Sequence, residues 1–354
     1  MVLVMARRWT RNPDSAIRDR LGFAVAAAAV LATALLATSC AAEAAATRIV
    51  ARGNAREVIA VPPRGGPPRT LVHLHRGAVL ATAVSRGGRV IAFASRTFHE
   101  VDRKHVWTDR IWVQHARDRP RIVRTIVSRG GSRGYRSTDS IAISPDGRTL
   151  LVQRRRGHVF MIATDGSGYR EVRPASYDFG AGLGRNSSGP EFTPDGRRIV
   201  GVFYPPNVRE NEIGGIGTVA LDGGPVHFVR RGPFANGVGH FFAPTISPDG
   251  KLIAFATAGR SGVSITVMNR DGSDAHRLRR SVLSGWSVGN PSFSPSGRSV
   301  TFVGEHYGKG NVIIGRTPSV IFTIRLDGSH LRIVQTEKAH LFGRDPAWVR
   351  WPPA

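Results

Sequence analysis

The sequence predicts an all-β protein, a six-bladed β-propeller whose blades are four-stranded antiparallel sheets. Three observations predict this fold. A short turn motif recurs at intervals of about 50 residues, a second hairpin follows each copy, and the two ends of the chain carry complementary parts of one further unit. The chain has 354 residues and is 41% hydrophobic, so it can bury a core of the size that such a ring requires.

The recurring unit consists of an apolar strand, a tight turn and a second apolar strand. Four copies begin at Ile141, Glu191, Thr245 and Ser292, and a degraded copy begins at Ala83. In the Pro-Asp-Gly turn, proline presets the first corner, aspartate can bond its own backbone, and glycine accepts the positive φ that follows. Successive turn prolines are 49, 54 and 47 residues apart, a period that is typical of propeller blades.

A second hairpin follows in each unit, and its turn is marked by Asp-Gly, the strongest short hairpin signal. The degraded unit has an aspartate at this turn but no glycine. Two hairpins in succession predict four antiparallel strands in each unit. The four complete turns are Asp165-Gly166, Asp222-Gly223, Asp271-Gly272 and Asp327-Gly328.

The two ends of the chain are predicted to share one blade. Residues 345–351, DPAWVRW, match an inner strand with no hairpin after it, whereas residues 48–76 supply strands with no inner strand before them. Joining the two ends completes a sixth blade and leaves no open face between blades. We therefore assign residues 48–354 to the propeller.

These repeats resemble the PD40, or WD40-like, repeats of TolB-like propellers, and the resemblance covers residues 48–354. Two units depart from the Pro-Asp-Gly pattern. In the first unit the turn, residues 85–88, reads Ser-Arg-Gly-Gly, and in the last repeat Ser296 stands in place of the turn aspartate. The resemblance implies the propeller fold. The chain has no recognisable N-terminal α/β domain of the kind that TolB carries, so a Tol-type role does not follow from it.

Residues 1–39 have the features of a bacterial lipoprotein signal peptide. Five arginines precede the uncharged apolar stretch 21–36, and Ala-Thr-Ser comes directly before Cys40, the one cysteine in the chain. This pattern resembles a lipobox, which implies cleavage before Cys40, diacylglycerol on its sulfur, and residues 40–47 as a lipidated tether. Two or more acyl chains give stable anchoring. An uncleaved anchor helix is the alternative, and both place the propeller outside the cytoplasmic membrane.

The net charge of +25 does not by itself indicate a nucleic-acid partner. Arginine supplies 46 of the 50 basic residues, and the arginines are dispersed along the chain, a pattern that favours codon bias over a phosphate-binding stripe. Contact with anionic lipid headgroups or wall polymers fits the expected location better. We expect a monomer that is anchored to the membrane and contacts an envelope protein or an anionic polymer.

Two sequence matches to catalytic motifs lack the structure that those motifs need. Residues 285–289 read Gly-Trp-Ser-Val-Gly, but an inner strand follows the serine where a nucleophile elbow needs a helix. Residues 180–184 are glycine-rich without a strand–turn–helix context. We therefore predict no catalytic residue.

Two groups of residues that include histidines are candidate metal sites. His73 and His75 are predicted to share one face of a strand. Residues 97–109 are predicted to form a long loop that holds His99, Glu100, His105 and Asp109. A solvated polar loop is the alternative to a metal site there.

Alignment of the inner strands gives the candidate site. The residue before each turn serine or threonine is large and is predicted to be core, and the residue before that is small except for Glu191. A carboxylate among crowded inner strands needs a partner. We predict that the channel mouth binds a cation or a polar ligand, and the alternative is that Glu191 pairs with an arginine. The predicted binding residues are Asp139, Glu191, His240, Asn290, Arg344 and Asp345.

Three functions remain open from the sequence. The first, which we favour, is a non-catalytic envelope-anchored binding or scaffold module for a protein or a cell-envelope polymer. The alternative is an enzyme, a lyase or hydrolase on an envelope glycan or peptide, with its site at the channel mouth; propellers host both classes. The third is electrostatic adhesion to anionic wall polymers, which would weaken with salt. No cofactor is predicted beyond a divalent cation in the central channel.

Overall fold

The computed structural model describes residues 47–53, 55–64, 66–101, 104–116, 118–129, 138–154, 157–180, 189–206, 213–233, 241–259, 262–278, 286–306, 320–335 and 346–350. Residues 47–354 cluster as one compact unit. The secondary-structure elements of this described part are β-strands, as the all-β prediction requires. It contains no helix long and apolar enough to cross a membrane.

The strands of the first half of the chain are β1 (Thr47–Arg52), β2 (Glu57–Val61), β3 (Arg69–His73), β4 (Ala78–Val84), β5 (Val90–Val101), β6 (Lys104–His115), β7 (Arg121–Arg129), β8 (Thr138–Ile143), β9 (Thr149–Arg154), β10 (His158–Ala163), β11 (Arg170–Val172) and β12 (Asp178–Phe179). Those of the second half are β13 (Glu191–Phe192), β14 (Arg198–Tyr204), β15 (Ile213–Ala220), β16 (Gly223–Pro233), β17 (Phe241–Ile246), β18 (Leu252–Gly259), β19 (Gly262–Asn269), β20 (His276–Arg277), β21 (Trp286–Phe293), β22 (Ser299–His306), β23 (Val320–Arg325), β24 (Arg332–Gln335) and β25 (Ala347–Arg350).

These strands form six antiparallel sheets, the blades of the propeller. Blade 1 consists of β25, β1, β2 and β3; blade 2 of β4–β7; blade 3 of β8–β11; blade 5 of β17–β20; and blade 6 of β21–β24. Blade 4 has β13 as its inner strand, followed by β14, β15 and β16, and it gains the two-residue strand β12 on the same side of β14. The prediction of six blades is confirmed.

The two ends of the chain share blade 1, as the sequence predicted. Strand β25 pairs with β1, and Ile49 lies opposite Trp348 in that register. Strand β1 pairs in turn with β2, where Ile49 lies opposite Val61. The ring is therefore closed by backbone hydrogen bonds between the first and last described strands.

The apolar core lies between the blades, because both faces of each sheet pack against a neighbouring sheet. Phe93 of blade 2 and Val58 of blade 1 belong to one hydrophobic cluster, and Phe203 of blade 4 and Leu151 of blade 3 belong to another. Further clusters join blades 2 and 3, 4 and 5, and 5 and 6. A cluster that includes Ile49 and Ile321 joins blade 1 to blade 6, so the core is continuous around the described ring.

The turns after the inner strands stand side by side at one end of the ring. A Cβ atom added to Gly196 would lie 3.7 Å from Cδ of Pro145, and one added to Gly297 would lie 3.8 Å from Cδ of Pro248. Because the strands are antiparallel, the Asp-Gly turns between the third and fourth strands lie at the same end. We call this end the turn rim, and we call the opposite end, where the inner strands begin, the loop rim.

Two hydrogen bonds hold the aspartate in each of the three Pro-Asp-Gly turns. The Thr193 hydroxyl donates to Asp195 at 2.5 Å, and the backbone N–H of Arg197 donates to the same carboxylate oxygen at 3.0 Å. Equivalent bonds hold Asp146 and Asp249. In all three turns the side-chain hydrogen bond is the main cause that lowers the pKa of the aspartate below its ordinary value.

Candidate functional site

The inner strands surround a narrow cavity of about 210 Å³ along the axis of the ring, which we call the channel cavity. It extends from the starts of the inner strands to the prolines of the turn rim. Every blade contributes to its wall, so the closed ring positions the site. One residue from each blade illustrates this: Thr82, Ser140, Glu191, Thr245, Asn290 and Pro346.

Glu191 is the one acidic residue among the described residues that line the channel cavity, and Arg86 is the one basic residue. Glu191 is half-buried at the start of β13, where it pairs with Val200 of β14. Its Oε2 atom accepts a 2.8 Å hydrogen bond from the hydroxyl of Thr245 in the next blade. This hydrogen bond holds the carboxylate against the channel wall, where its oxygens are hydrogen-bond acceptors.

Asn290 lines the channel cavity with a backbone conformation that few residues other than glycine adopt. Its φ is +54° and the residue is 3% exposed. The pairing register of β21 with β22 shifts between Gly289 and Ser292, which is a β-bulge. Ala243 of blade 5 has φ +51° at the equivalent position. Bulges re-aim side chains next to functional sites, and here the bulge sets the direction of Asn290.

The rest of the wall is apolar toward the turn rim. Phe192, Ile246 and Phe293 are 7%, 8% and 6% exposed, as predicted for core residues, and they also border the channel cavity. Below them the cavity is lined by four turn prolines, and Arg86 occupies the corresponding place in blade 2. The four prolines are Pro145, Pro194, Pro248 and Pro295.

A polar network behind the channel wall was not predicted from the sequence. Ser140 and Gln153 are each 3% exposed, and the Ser140 hydroxyl lies 3.2 Å from Oε1 of Gln153. The side-chain amide of Gln153 donates to the carbonyl of Gly180 at 3.0 Å. The signal in the sequence was a single glutamine at the end of the apolar run Leu-Leu-Val-Gln. Such a buried network fixes the wall because each polar atom needs its partner.

The predicted site residues divide into two groups. Glu191 and Asn290 line the channel cavity. Asp139 is half-buried at a bulge of β8, next to Ser140, which lines the cavity. The other predicted residues, His240, Arg344 and Asp345, lie outside the described residues, as does the predicted lipidation residue Cys40.

The prediction of a long loop over residues 97–109 is wrong. Strands β5 and β6 continue through this segment as a paired hairpin, in which Phe98 lies opposite Trp107 with ring centroids 4.6 Å apart. Asp109 is 3% exposed and forms a two-pronged ion pair with Arg96, with oxygen–nitrogen distances of 2.7 and 2.9 Å. Asp109 also accepts a hydrogen bond from the backbone N–H of Thr138 in blade 3.

The described part of the chain contains no group of three or more His, Cys, Asp or Glu residues arranged to hold a metal ion. Strand β3 ends at His73, whose ring pairs with Glu57 at 3.1 Å and lies 6.2 Å from the ring of His75. Ser287 lies in β21, in a strand rather than at a strand-to-helix turn. A divalent cation in the channel stays a prediction.

The closed ring and its axial cavity define the class of protein: a six-bladed β-propeller with a narrow, partly polar channel. Part of the sequence is also similar to TolB. A segment of 113 residues is 34% identical to the Tol-Pal system protein TolB of Gluconobacter oxydans (strain 621H); it covers 32% of this chain and 23% of that protein. No family profile matches the sequence.

Solved structures show the same fold at low sequence identity. TolB from Acinetobacter baumannii has a TM-score of 0.58 and 18% identity, over 85% of this chain and 66% of that one. A chain of the nidogen/laminin complex has a TM-score of 0.57 and 12% identity, over 85% of this chain and 98% of that one. These likenesses establish the fold and agree with the resemblance of the repeats.

Proposed function

We propose that this chain is an envelope-anchored binding propeller that holds a polar, donor-bearing group of an envelope protein in its channel cavity. The signal peptide and Cys40 would tether it outside the cytoplasmic membrane. The similarity to TolB, which is named for the Tol-Pal system, supports a role in the cell envelope. The complex that contains nidogen and laminin is a precedent for protein binding by this fold.

The observation that carries the proposal is the combination of Glu191 with a small cavity. A volume of about 210 Å³ is below that of typical small-molecule pockets, about 300–1,000 Å³. It suits one side chain or one turn of a partner rather than a bulky ligand. Glu191 supplies an acceptor, Asn290 and Thr245 supply further polar atoms, and apolar walls limit solvent around them.

A lysine, arginine or N-terminal amine of a partner is the group that matches this arrangement. A carboxylate binds such donors most strongly, and the interaction gains from partial burial. Binding is the role that the rigid inner strands favour, because a ring of paired strands presents a preformed site at little cost in conformational entropy.

The test compares the full chain with its Glu191→Gln variant, which keeps the shape of the side chain and removes its charge. The variant should capture at least about tenfold less of the envelope proteins that the wild-type chain captures. The melting temperature of the variant should equal that of the wild type. Glu171→Gln is the matched control, since Glu171 lies on the outer strand β11 away from the cavity lining. Equal capture by wild type and Glu191→Gln would contradict the proposal.

A further inference from the structure

The turn rim carries very different charges in its two halves. In blades 6, 1 and 2 its segments are residues 293–299, 325–332, 61–69, 84–90 and 115–121, which contain ten arginines and two aspartates. The corresponding segments of blades 3, 4 and 5 are 143–149, 163–170, 192–198, 220–223, 246–252 and 269–276, with six basic and seven acidic residues.

The difference comes from the turns that depart from the Pro-Asp-Gly pattern. Blade 6 has Ser296 in place of the aspartate, and blade 2 has Gly87 there. Blade 1 has no such turn, because its first two strands, β25 and β1, come from opposite ends of the described chain. The three blades without the turn aspartate are neighbours in the ring, so they form one continuous region, which we call the acid-poor sector.

Four arginines of the acid-poor sector are available to a partner. Arg64, Arg86, Arg89 and Arg298 are all exposed. None of these four forms an ion pair with another residue in the part of the chain that the structure describes. Exposed guanidinium groups bind phosphate oxygens through paired hydrogen bonds.

A second, independent feature, the attachment point of the predicted lipid anchor, lies on this side of the ring. Strand β1 begins at Thr47, which pairs with Arg350 at the end of the inner strand β25 and so lies at the turn rim. Blade 1 is the middle blade of the acid-poor sector. Cys40 precedes Thr47 by seven residues, which can span at most about 25 Å even when fully extended.

We propose that the acid-poor sector is a docking surface for the anionic phospholipid headgroups of the membrane that holds the lipid anchor. This proposal rests on the envelope location proposed above and adds the orientation of the ring. In this orientation the arginines face the bilayer surface, where electrostatic attraction acts over about a Debye length. The loop rim, where the inner strands and the channel cavity begin, then faces away from the membrane and toward envelope partners.

The experiment uses the full chain reconstituted into vesicles of phosphatidylcholine alone or of phosphatidylcholine with phosphatidylglycerol. Hydrogen exchange is measured in residues 84–90 and 293–299 of the turn rim and in the β5–β6 hairpin of the loop rim. We expect at least about fivefold slower exchange at the turn rim in the anionic vesicles only, and loss of this protection in high salt.

The matched variants change the residue that follows the turn glycine in different blades. The double variant Arg89→Glu/Arg298→Glu should lose the protection, whereas Arg148→Glu/Lys251→Glu, with the same change of charge in blades 3 and 5, should keep it. If Arg89→Glu/Arg298→Glu does not fold, Arg89→Gln/Arg298→Gln replaces it, with a partial loss expected.

Three outcomes would overturn the proposal: equal exchange in both kinds of vesicle, equal loss in both double variants, or protection of the β5–β6 hairpin instead of the turns. Protection by soluble polyphosphate but not by anionic vesicles would also overturn it, since the site would then bind free phosphate chains. Capture through Glu191 is measured separately, so failure of one proposal is distinguishable from failure of the other.

Discussion

The α-carbon of Gly272 lies directly against the backbone carbonyl oxygen of Val229, leaving no room for a side chain. Gly272 belongs to the Asp-Gly turn of blade 5, and Val229 belongs to β16, the outer strand of blade 4. Gly166 approaches Val123 of blade 2 in the same way, and Gly223 approaches Arg173 of blade 3. These three Asp-Gly turns thus serve two purposes, since they close a hairpin and they seat blades 3, 4 and 5 on the blade before each of them.

Replacing Gly272 by alanine should therefore destabilise the ring by about 2–3 kcal/mol, because both backbone strain at φ +90° and a clash with Val229 are introduced. The control is Gly168→Ala. Gly168 has φ +65° with open space around its α-carbon, so that only the strain of about 1 kcal/mol is expected. Urea unfolding measures both values. Equal losses in the two variants would show that the close approach has no energetic weight.

The turn of blade 6 offers a stabilising substitution. Ser296 stands where blades 3, 4 and 5 have aspartate, and its hydroxyl lies 3.2 Å from that of Ser294. Ser296→Asp should add the two hydrogen bonds seen at Asp195, a gain of about 0.5 kcal/mol at neutral pH because the site is exposed. Asp195→Asn should lose a similar amount.

The pH dependence of this effect follows from the pKa of Asp195. The hydrogen bond from Thr193 holds that pKa below its ordinary value of 3.8. The folded state therefore binds the proton less tightly than the unfolded state, and the stabilisation is present above the ordinary value and fades as the pH falls through the lowered one. The free energies of unfolding of Asp195→Asn and of the wild type should converge in acid. A difference between them that is constant with pH would contradict this.

Among the ion pairs of the described residues, the one between Arg96 and Asp109 should cost the most stability when it is broken. Asp109→Asn removes the counter-charge of a largely buried guanidinium, and we expect a loss of about 3 kcal/mol in the free energy of unfolding. Glu171→Gln is the control, because Glu171 pairs with the exposed Arg173 and should lose less than about 1 kcal/mol. Similar losses for the two variants would contradict the structural role of the pair.

Cys40 can be tested without reference to the propeller. If Cys40 is lipidated, radiolabelled fatty acid should enter the wild-type chain, and Cys40→Ala should abolish that labelling and block cleavage before residue 40. Ser39→Ala, which keeps a small residue at the cleavage site, serves as the control and should be labelled like the wild type. Labelling of Cys40→Ala would rule out the predicted anchor.

The propeller was predictable because its turns repeat the same local chemistry. Gly196 and Gly250 have φ values of +68° and +74°, so the conformation that the Pro-Asp-Gly motif requires is present in each copy. The same alternation that marked the strands placed Phe192 and Phe293 in the core. Glu191 was found because it breaks the pattern of small residues at one position of the inner strands.

The remainder depends on pairing between distant segments, which a single sequence does not show. The bulge that gives Asn290 its positive φ arises from the register of β21 against β22. The polar residues His99, Glu100, His105 and Asp109 predict a loop over 97–109. Cross-strand pairing of Phe98 with Trp107 extends the hairpin through this segment instead. The charge difference at the turn rim likewise depends on the ring, which makes blades 6, 1 and 2 neighbours.

Closure of blade 1 by β25 sets the order in which the molecule can be completed. In a chain made from its N-terminus, β1 emerges first and β25 emerges after every other strand in the structure. Until then the edge of β1 that includes Ile49 has no partner strand, and such an edge can pair with another chain. Crowding, or a delay in synthesis of the C-terminal part, would therefore favour exchange of the last strand between molecules, producing linked rings in place of separate ones.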